Sequence, residues 1–391
     1  MSTPFGFPFG MDPESLRDAP LFRELQRVIA SGGSGSVNWE LARQVGVATA
    51  VEAGPDPETT DEDLRGLEDA VRIAELQVAG LTGLDNPAHI ARVRAIRRAE
   101  WVARETEGLH PLIEPAAARM TEALDRAVRE QMPPEAAQMA GMFAQLGPLL
   151  QGTQVGQVLG TAATTALSGS EIAVPRGDTV DISFVPTNLA AVERDWSLDR
   201  PEFRTWIALH EVAHRATLTR PWTAAHLTSL VDDFLSTLTI DVGAITERLQ
   251  AIEPGDPESL ERALGGGDAM FGAVLDEEQR IKLARVHAFL AAAEGWADHV
   301  TTVIGHGLLG THERIEEALR RRQEGREQEP IFTRLLGIPV DLDVFDLGRR
   351  FCDTVVQRTD EATLAKMWAS ADAAPSLPEL HEPTLWLSRT V

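Results

Sequence analysis

Residues 210–214 read His-Glu-Val-Ala-His, and no other stretch constrains the fold as tightly. Two imidazoles four residues apart lie on one face, about one turn apart, when the segment is an α-helix. One cation can then take a nitrogen from each, and the carboxylate of Glu211 is placed to act on water at that cation. The pentapeptide alone is only moderately specific, so its flanks have to agree with it. Residues 202–217 contain neither Gly nor Pro, Pro201 falls where a first turn tolerates it, and Asp199 or Arg200 stands near the cap. Phe203, Trp206, Ile207, His210 and His214 keep helical spacing, which puts both histidines on the stripe that faces the core. A pair of ordinary core histidines is the bland alternative. It is disfavoured because two imidazoles and a carboxylate are costly to bury without a partner, and a cation supplies one.

A hydrolytic zinc site usually takes three protein ligands and keeps a fourth position for water. Cys352 is the one cysteine, so the third ligand is sought among His, Asp and Glu of another element. Residues 276–304 read as one long amphipathic helix starting near Asp276-Glu277-Glu278. Within it, Glu294-Gly-Trp-Ala-Asp298 sets two carboxylates one turn apart among small residues (Ala291, Ala292, Ala293, Gly295, Ala297) that allow another backbone to come close. This makes Glu294 the candidate ligand and Asp298 the candidate acceptor for a ligand histidine's non-coordinating N–H, a supporting role outside the ligand set. The competing reading is a solvated acidic face.

A helix with His-Glu-x-x-His followed on a later helix by Glu-x-x-x-Asp resembles the gluzincin arrangement of thermolysin-like zinc peptidases. More closely, the chain resembles the bacterial zincin-like metallopeptidase family of type 2. The matching stretches are Phe184–Trp196, Trp206–Arg215, Glu294–Val300 and Leu385–Arg389, with an early Val37–Ala42. The resemblance extends from about residue 20 to the end. It implies His210, His214 and Glu294 as zinc ligands and Glu211 as general base, and it implies no particular substrate.

The fold class expected is mainly α with a small β-sheet (α+β), a zincin-like metallopeptidase fold with a helical N-terminal extension. Residues 1–12 read as a flexible arm, without the basic and apolar regions of a signal peptide. Residues 13–391 read as a single, mostly helical domain: a helical part at 13–168, the metal-site part at 169–310 and a helical part at 311–391. Helical patterns appear at about 14–30, 37–52, 60–80, 87–108, 112–130, 202–217, 222–250, 276–304, 344–357 and 361–370, with loops at 31–36, 252–257 and 265–267. Residues 171–175 and 180–186 alternate and carry β-branched side chains, which predicts short strands arranged as a hairpin. In zincins a strand ahead of the metal helix binds extended substrate, and this segment holds that place. Arg176-Gly-Asp178 reads as a turn.

Residues 134–167 are apolar, with Gly152, Gly156 and Gly160 four apart. Glutamines at 138, 145, 151, 154 and 157 interrupt every window, so soluble helices packed through glycines are expected rather than a membrane hairpin. The formal charge is −24, from 60 acidic and 36 basic residues, which argues against a nucleic-acid or anionic-membrane partner. A single cysteine excludes an internal disulfide and fits a cytoplasmic location. Arg320-Arg-Arg322 is a basic cluster expected to be a solvated helix face.

These residues point to a zinc-dependent hydrolase, in first place a metallopeptidase acting on a peptide or small amide, with Glu211 as general base on a zinc-bound water. A zinc hydrolase of a non-peptide substrate and a non-catalytic zincin-fold binding or scaffold protein are the alternatives. The retained Glu211 favours chemistry over scaffold. Gluzincins usually stabilise the oxyanion with a Tyr or His, and this chain has no Tyr. The candidates are His226, His287, His299, His306 and Arg215.

Overall fold

The computed structural model describes residues 35–84, 92–131, 147–171, 174–175, 181–238, 275–324, 331–336, 338–340 and 343–390. The expected arm at 1–12, the helix at 14–30, the loops at 252–257 and 265–267 and the turn at 176–178 lie outside them. So do most of the loop at 31–36 and the later part of the expected helix at 222–250.

The helices come in the order α1 (Trp39–Glu52), α2 (Asp61–Thr82), α3 (Arg98–Gln131), α4 (Gly147–Ala163), α5 (Pro186–Asp195), α6 (Arg200–Leu218), α7 (Thr223–Leu235), α8 (Glu277–Leu308), α9 (His312–Glu324), α10 (Ile331–Leu336), α11 (Asp343–Arg358), α12 (Glu361–Ala365), α13 (Leu377–His381) and α14 (Pro383–Thr390). One hydrophobic cluster runs through them, from Val37 to Trp386. Among the described residues the protein is mainly helical, with two short strands.

Those strands differ from the expected hairpin. Strand β2 (Asp181–Phe184) pairs in parallel with β1 (Arg92–Ala95), in the register Arg92 to Asp181 and Ala95 to Phe184. Its partner comes from ninety residues upstream, inside the stretch expected to be helical at 87–108, and Glu171 sits in a 3₁₀ turn instead. The other edge of β2 is met by an antiparallel bridge from Ser168 to Phe184, and Ile182, Ser183 and Phe184 are buried. A run of four residues with one apolar alternation carries too little pattern to name its partner.

Helix α3 corrects a second expectation. It continues from Arg98 to Gln131 through Pro111 and Pro115, where two helices were expected. Proline removes a backbone donor and crowds the preceding turn. Here Leu109, Leu112, Ile113, Ala116 and Ala117 are all buried, and that packing holds the helix through the local cost.

Glycines decide two helix contacts. Along α4, a methyl group on Gly152, Gly156 or Gly160 would collide with the backbone of Asn38, Ala42 or Gly46 on α1. The small-residue stripe is thus used inside the molecule, as expected. Among the described residues no helix is long and apolar enough to cross a membrane. The second contact is between α8 and α11. A Cβ on Gly348 would overlap the Ala291 carbonyl, and one on Gly295 would overlap the backbone of Gly348. The two helices touch backbone to backbone directly behind the stretch that carries Glu294.

Candidate metal centre

Helix α6 begins where the sequence predicts. Asp199 caps it by accepting from the Glu202 amide at 3.0 Å, and Pro201 occupies the first turn. The Glu202 carboxylate accepts from the Gly310 and Thr311 amides at 3.1 and 2.7 Å, tying the start of α6 to the end of α8. The opposite end of α8 carries a capping box. Asp276 accepts from the Gln279 amide at 2.8 Å, and the Gln279 side chain accepts from the Asp276 amide at 2.9 Å. Beneath α6, Arg204 is buried and spans Glu193 at 2.7 Å and Asp63 at 3.0 Å, which locks α5, α6 and α2 together. Both helices are therefore fixed at their ends and from below.

Each is buried almost all round. From Phe203 to Leu218 on α6, every residue except His210 is buried. From Ala288 to Thr301 on α8, every residue except Glu294 and Asp298 is buried. These three exceptions meet. His210 Nε2 lies 3.5 Å from Glu294 Oε1 and 3.4 Å from Asp298 Oδ1, and His214 Nε2 lies 3.1 Å from Glu294 Oε2. The side chains of His210, Glu294 and Asp298 are 25%, 23% and 42% exposed, while His214 is wholly buried. Within these two stretches the partly exposed side chains therefore gather in one place, with His214 wholly buried beneath them and Asp298 the most exposed.

The ligand-type atoms of His210, His214 and Glu294 all lie within 4.8 Å of one another, and among the described residues this is the one such group. Burial opposes charge on His210, yet the adjoining Asp298 and Glu294 carboxylates outweigh it and hold the imidazole pKa well above its ordinary value. Burial likewise works to raise the Glu294 carboxyl, but His214 and His210 overcome it and hold that group well below the usual carboxylate range. Both shifts express the mutual attraction of the imidazoles and the carboxylate. His214 adds a sharper sign. Neither of its buried ring nitrogens has a hydrogen-bond partner, because the 3.1 Å approach of Nε2 to Glu294 is not aligned as a hydrogen bond. An orphaned imidazole nitrogen aimed at a carboxylate is costly unless a cation lies between them. Two imidazoles and one carboxylate are also a donor set that suits zinc.

Asp298 Oδ1 lies 3.4 Å from His210 Nε2, the ring nitrogen that also faces Glu294. Glu211 is buried on α6, and Arg215, one turn on, is buried as well. Burial lowers the Arg215 pKa despite the opposing charges of Glu211, Glu75 and Asp181.

The four histidines considered as oxyanion helpers are engaged elsewhere. His226 packs its ring 5.6 Å from Trp222 and 5.8 Å from Phe289. His287 Nε2 is 2.7 Å from the Pro339 carbonyl oxygen. His306 contacts Glu316 at 3.4 Å and stacks 4.3 Å from His312. His299, buried, lies between Asp353 at 2.6 Å and Glu361 at 3.1 Å. Sequence reasoning missed this last cluster, since nothing local in 353 or 361 marks a partner for residue 299. Arg320 and Arg321 form a solvated face as expected, paired to Glu317 on their own helix, whereas Arg322 donates to the Thr165 carbonyl oxygen.

A family model described as zincin-like metallopeptidase matches residues 37–387. Among solved structures, one from Chloroflexus aurantiacus, provisionally described as a hydrolase with a novel fold, superposes with a TM-score of 0.63 at 22% identity, covering 90% of this chain and 98% of that one. At that identity the likeness speaks for the fold alone. A search of curated proteins finds no match.

Proposed function

We propose that this chain, which belongs to the zincin-like metallopeptidase family, is a zinc-dependent peptidase whose ion is held by His210, His214 and Glu294. The observation that carries the reading is the convergence of two imidazole Nε2 atoms on one carboxylate, with the buried nitrogens of His214 left without a hydrogen bond. A zinc ion bound there supplies Lewis acidity, which acidifies water and polarises a carbonyl.

The chain's own residues supply the rest. Glu211 takes a proton from the attacking water, whose oxygen bonds to the carbonyl carbon. It then delivers that proton to the nitrogen as the C–N bond breaks, so that an acid and an amine leave and the carboxylate is restored. Burial of Glu211 beside Arg215 keeps the carboxylate fixed while it does so. The opening at His210, Glu294 and Asp298 admits the substrate, and the packed walls of α6 and α8 exclude bulk water from the floor.

The test combines elemental analysis with digestion of a diverse peptide library. About one zinc per chain and cleavage that disappears in Glu211→Gln support the reading. Protein never exposed to chelator that carries far less than one equivalent of transition metal refutes it. Fully zinc-loaded protein that cleaves no peptide, amide or ester moves the conclusion to a zinc-binding scaffold.

A further inference from the structure

Asp298 has a position that the proposed chemistry does not use. Its carboxylate stands 3.4 Å from His210 Nε2, as close as Glu294 does at 3.5 Å. That histidine is its one ion-pair partner among the described residues. A ring nitrogen that coordinates a cation has no proton to donate. With His210 Nε2 as a metal ligand, Asp298 cannot accept a hydrogen bond from that nitrogen, and its carboxylate is left on the exposed side of the site. It is also the most exposed of the side chains there, at 42% against 25% for His210 and 23% for Glu294.

We propose that Asp298 receives the free α-amino group of the substrate, so that the site acts on peptides or amides with an unblocked amino terminus. The inference rests on His210 being a metal ligand. Reach selects the α-amine over a basic side chain. The α-nitrogen is one carbon away from the carbonyl carbon under attack, and a carboxylate a hydrogen-bond length from a ligand atom can contact it. A lysine or arginine cation at the far end of its side chain overshoots that position. Charge agrees, since no described Arg or Lys forms an ion pair with Asp298 and the chain carries a formal −24. An ammonium in this place makes charge-assisted hydrogen bonds to the carboxylate.

The experiment needs no turnover. Zinc-loaded full-length protein, its metal content verified, is titrated calorimetrically with leucine hydroxamate, N-acetyl-leucine hydroxamate and Nα-acetyl-lysine hydroxamate, in which the hydroxamate serves as the metal-binding group. The free-amine compound is expected to bind at least about tenfold more tightly than its acetylated form, the effect of one charge-assisted hydrogen bond at a partly exposed site. In Asp298→Asn, loaded with excess zinc and checked for intact thermal unfolding, that ratio should collapse through loss of free-amine affinity alone. Equal binding of the free and acetylated leucine compounds overturns the proposal, as does a preference that survives in Asp298→Asn. An Asp298-dependent gain for Nα-acetyl-lysine hydroxamate overturns it in favour of a side-chain cation. Zinc-loaded protein that binds none of the three overturns it while leaving the metal ligands standing, whereas protein that takes up no zinc removes the metal reading itself.

Discussion

His299 offers the most quantitative test of the architecture behind the metal centre. It is buried, one residue beyond Asp298, with Nδ1 2.6 Å from Asp353 on α11 and Nε2 3.1 Å from Glu361 on α12. Burial opposes its charge, yet the two carboxylates overcome that and push the pKa up to about 9 from an ordinary 6.5. The folded state therefore holds a proton that the unfolded chain releases near 6.5. The stabilisation is complete below the unfolded value and is lost as pH rises through the folded one. The difference of about 2.5 units corresponds to about 3 kcal/mol, an upper figure because Asp353 is 43% exposed and screened on that side. Cys352 next to it stays neutral across the window, since burial and the neighbouring carboxylates push its thiol well above the ordinary value.

The perturbation is His299→Gln, which keeps hydrogen-bonding groups and removes the titrating charge. Glutamine cannot neutralise Asp353 and Glu361, and one Glu361 oxygen is already buried without a hydrogen bond, so the variant is destabilised where the wild type is protonated. Denaturant unfolding at pH 6, 8 and 9.5 reads the outcome. The gap between wild type and variant should be widest at pH 6 and shrink by up to about 3 kcal/mol at pH 9.5. A gap that stays constant across this range refutes the imidazolium, and with it the argument that α11 and α12 are held to α8 by charge.

Three further outcomes are expected. His210→Ala and His214→Ala should each lose most of the bound zinc, measured by elemental analysis after dialysis. Glu211→Gln should retain zinc and fold while peptide cleavage falls by about 10²–10⁴-fold, chiefly in kcat, since the amide cannot take the proton. Replacing Gly348 by Ala should destabilise the protein by about 3 kcal/mol or more in thermal unfolding, with weaker zinc retention. The new methyl meets the Ala291 carbonyl on α8 and forces apart the helices behind Glu294.

The parts of the site that could be read from sequence are those whose spacing is local. His210 and His214 sit one turn apart on α6, Glu294 and Asp298 sit one turn apart on α8, and the caps at Asp199 and Asp276 mark where those helices begin. Period and capping chemistry act within a few residues, so they leave a trace in a single chain. What the trace omits is pairing across long separations. The parallel partner of β2 lies ninety residues away, and neither short strand carries enough alternation to name the other. The continuous α3 violates a local rule at Pro111 and Pro115, and it holds because of tertiary packing that no local pattern encodes.

Asp298 shows how far local spacing reaches and where it stops. Its interval from Glu294 placed both carboxylates on one face of α8, and the structure brings both to His210. The same interval could not say which ring nitrogen it would meet, because that depends on how α6 and α8 cross. The Glu202 clasp on Gly310 and Thr311 ties α6 to the end of α8, while Arg204 ties α6 to α5 and α2 and the Gly295–Gly348 contact ties α8 to α11. A carboxylate facing the outer ring N–H would orient the ligand histidine. One facing Nε2, as here, stands on the exposed side of the group, where the proposal places the substrate's amine. Which of these arrangements forms depends on such long-range contacts, which the fixed positions of the two motifs do not encode, and that is why spacing alone could place Asp298 beside His210 without assigning its role.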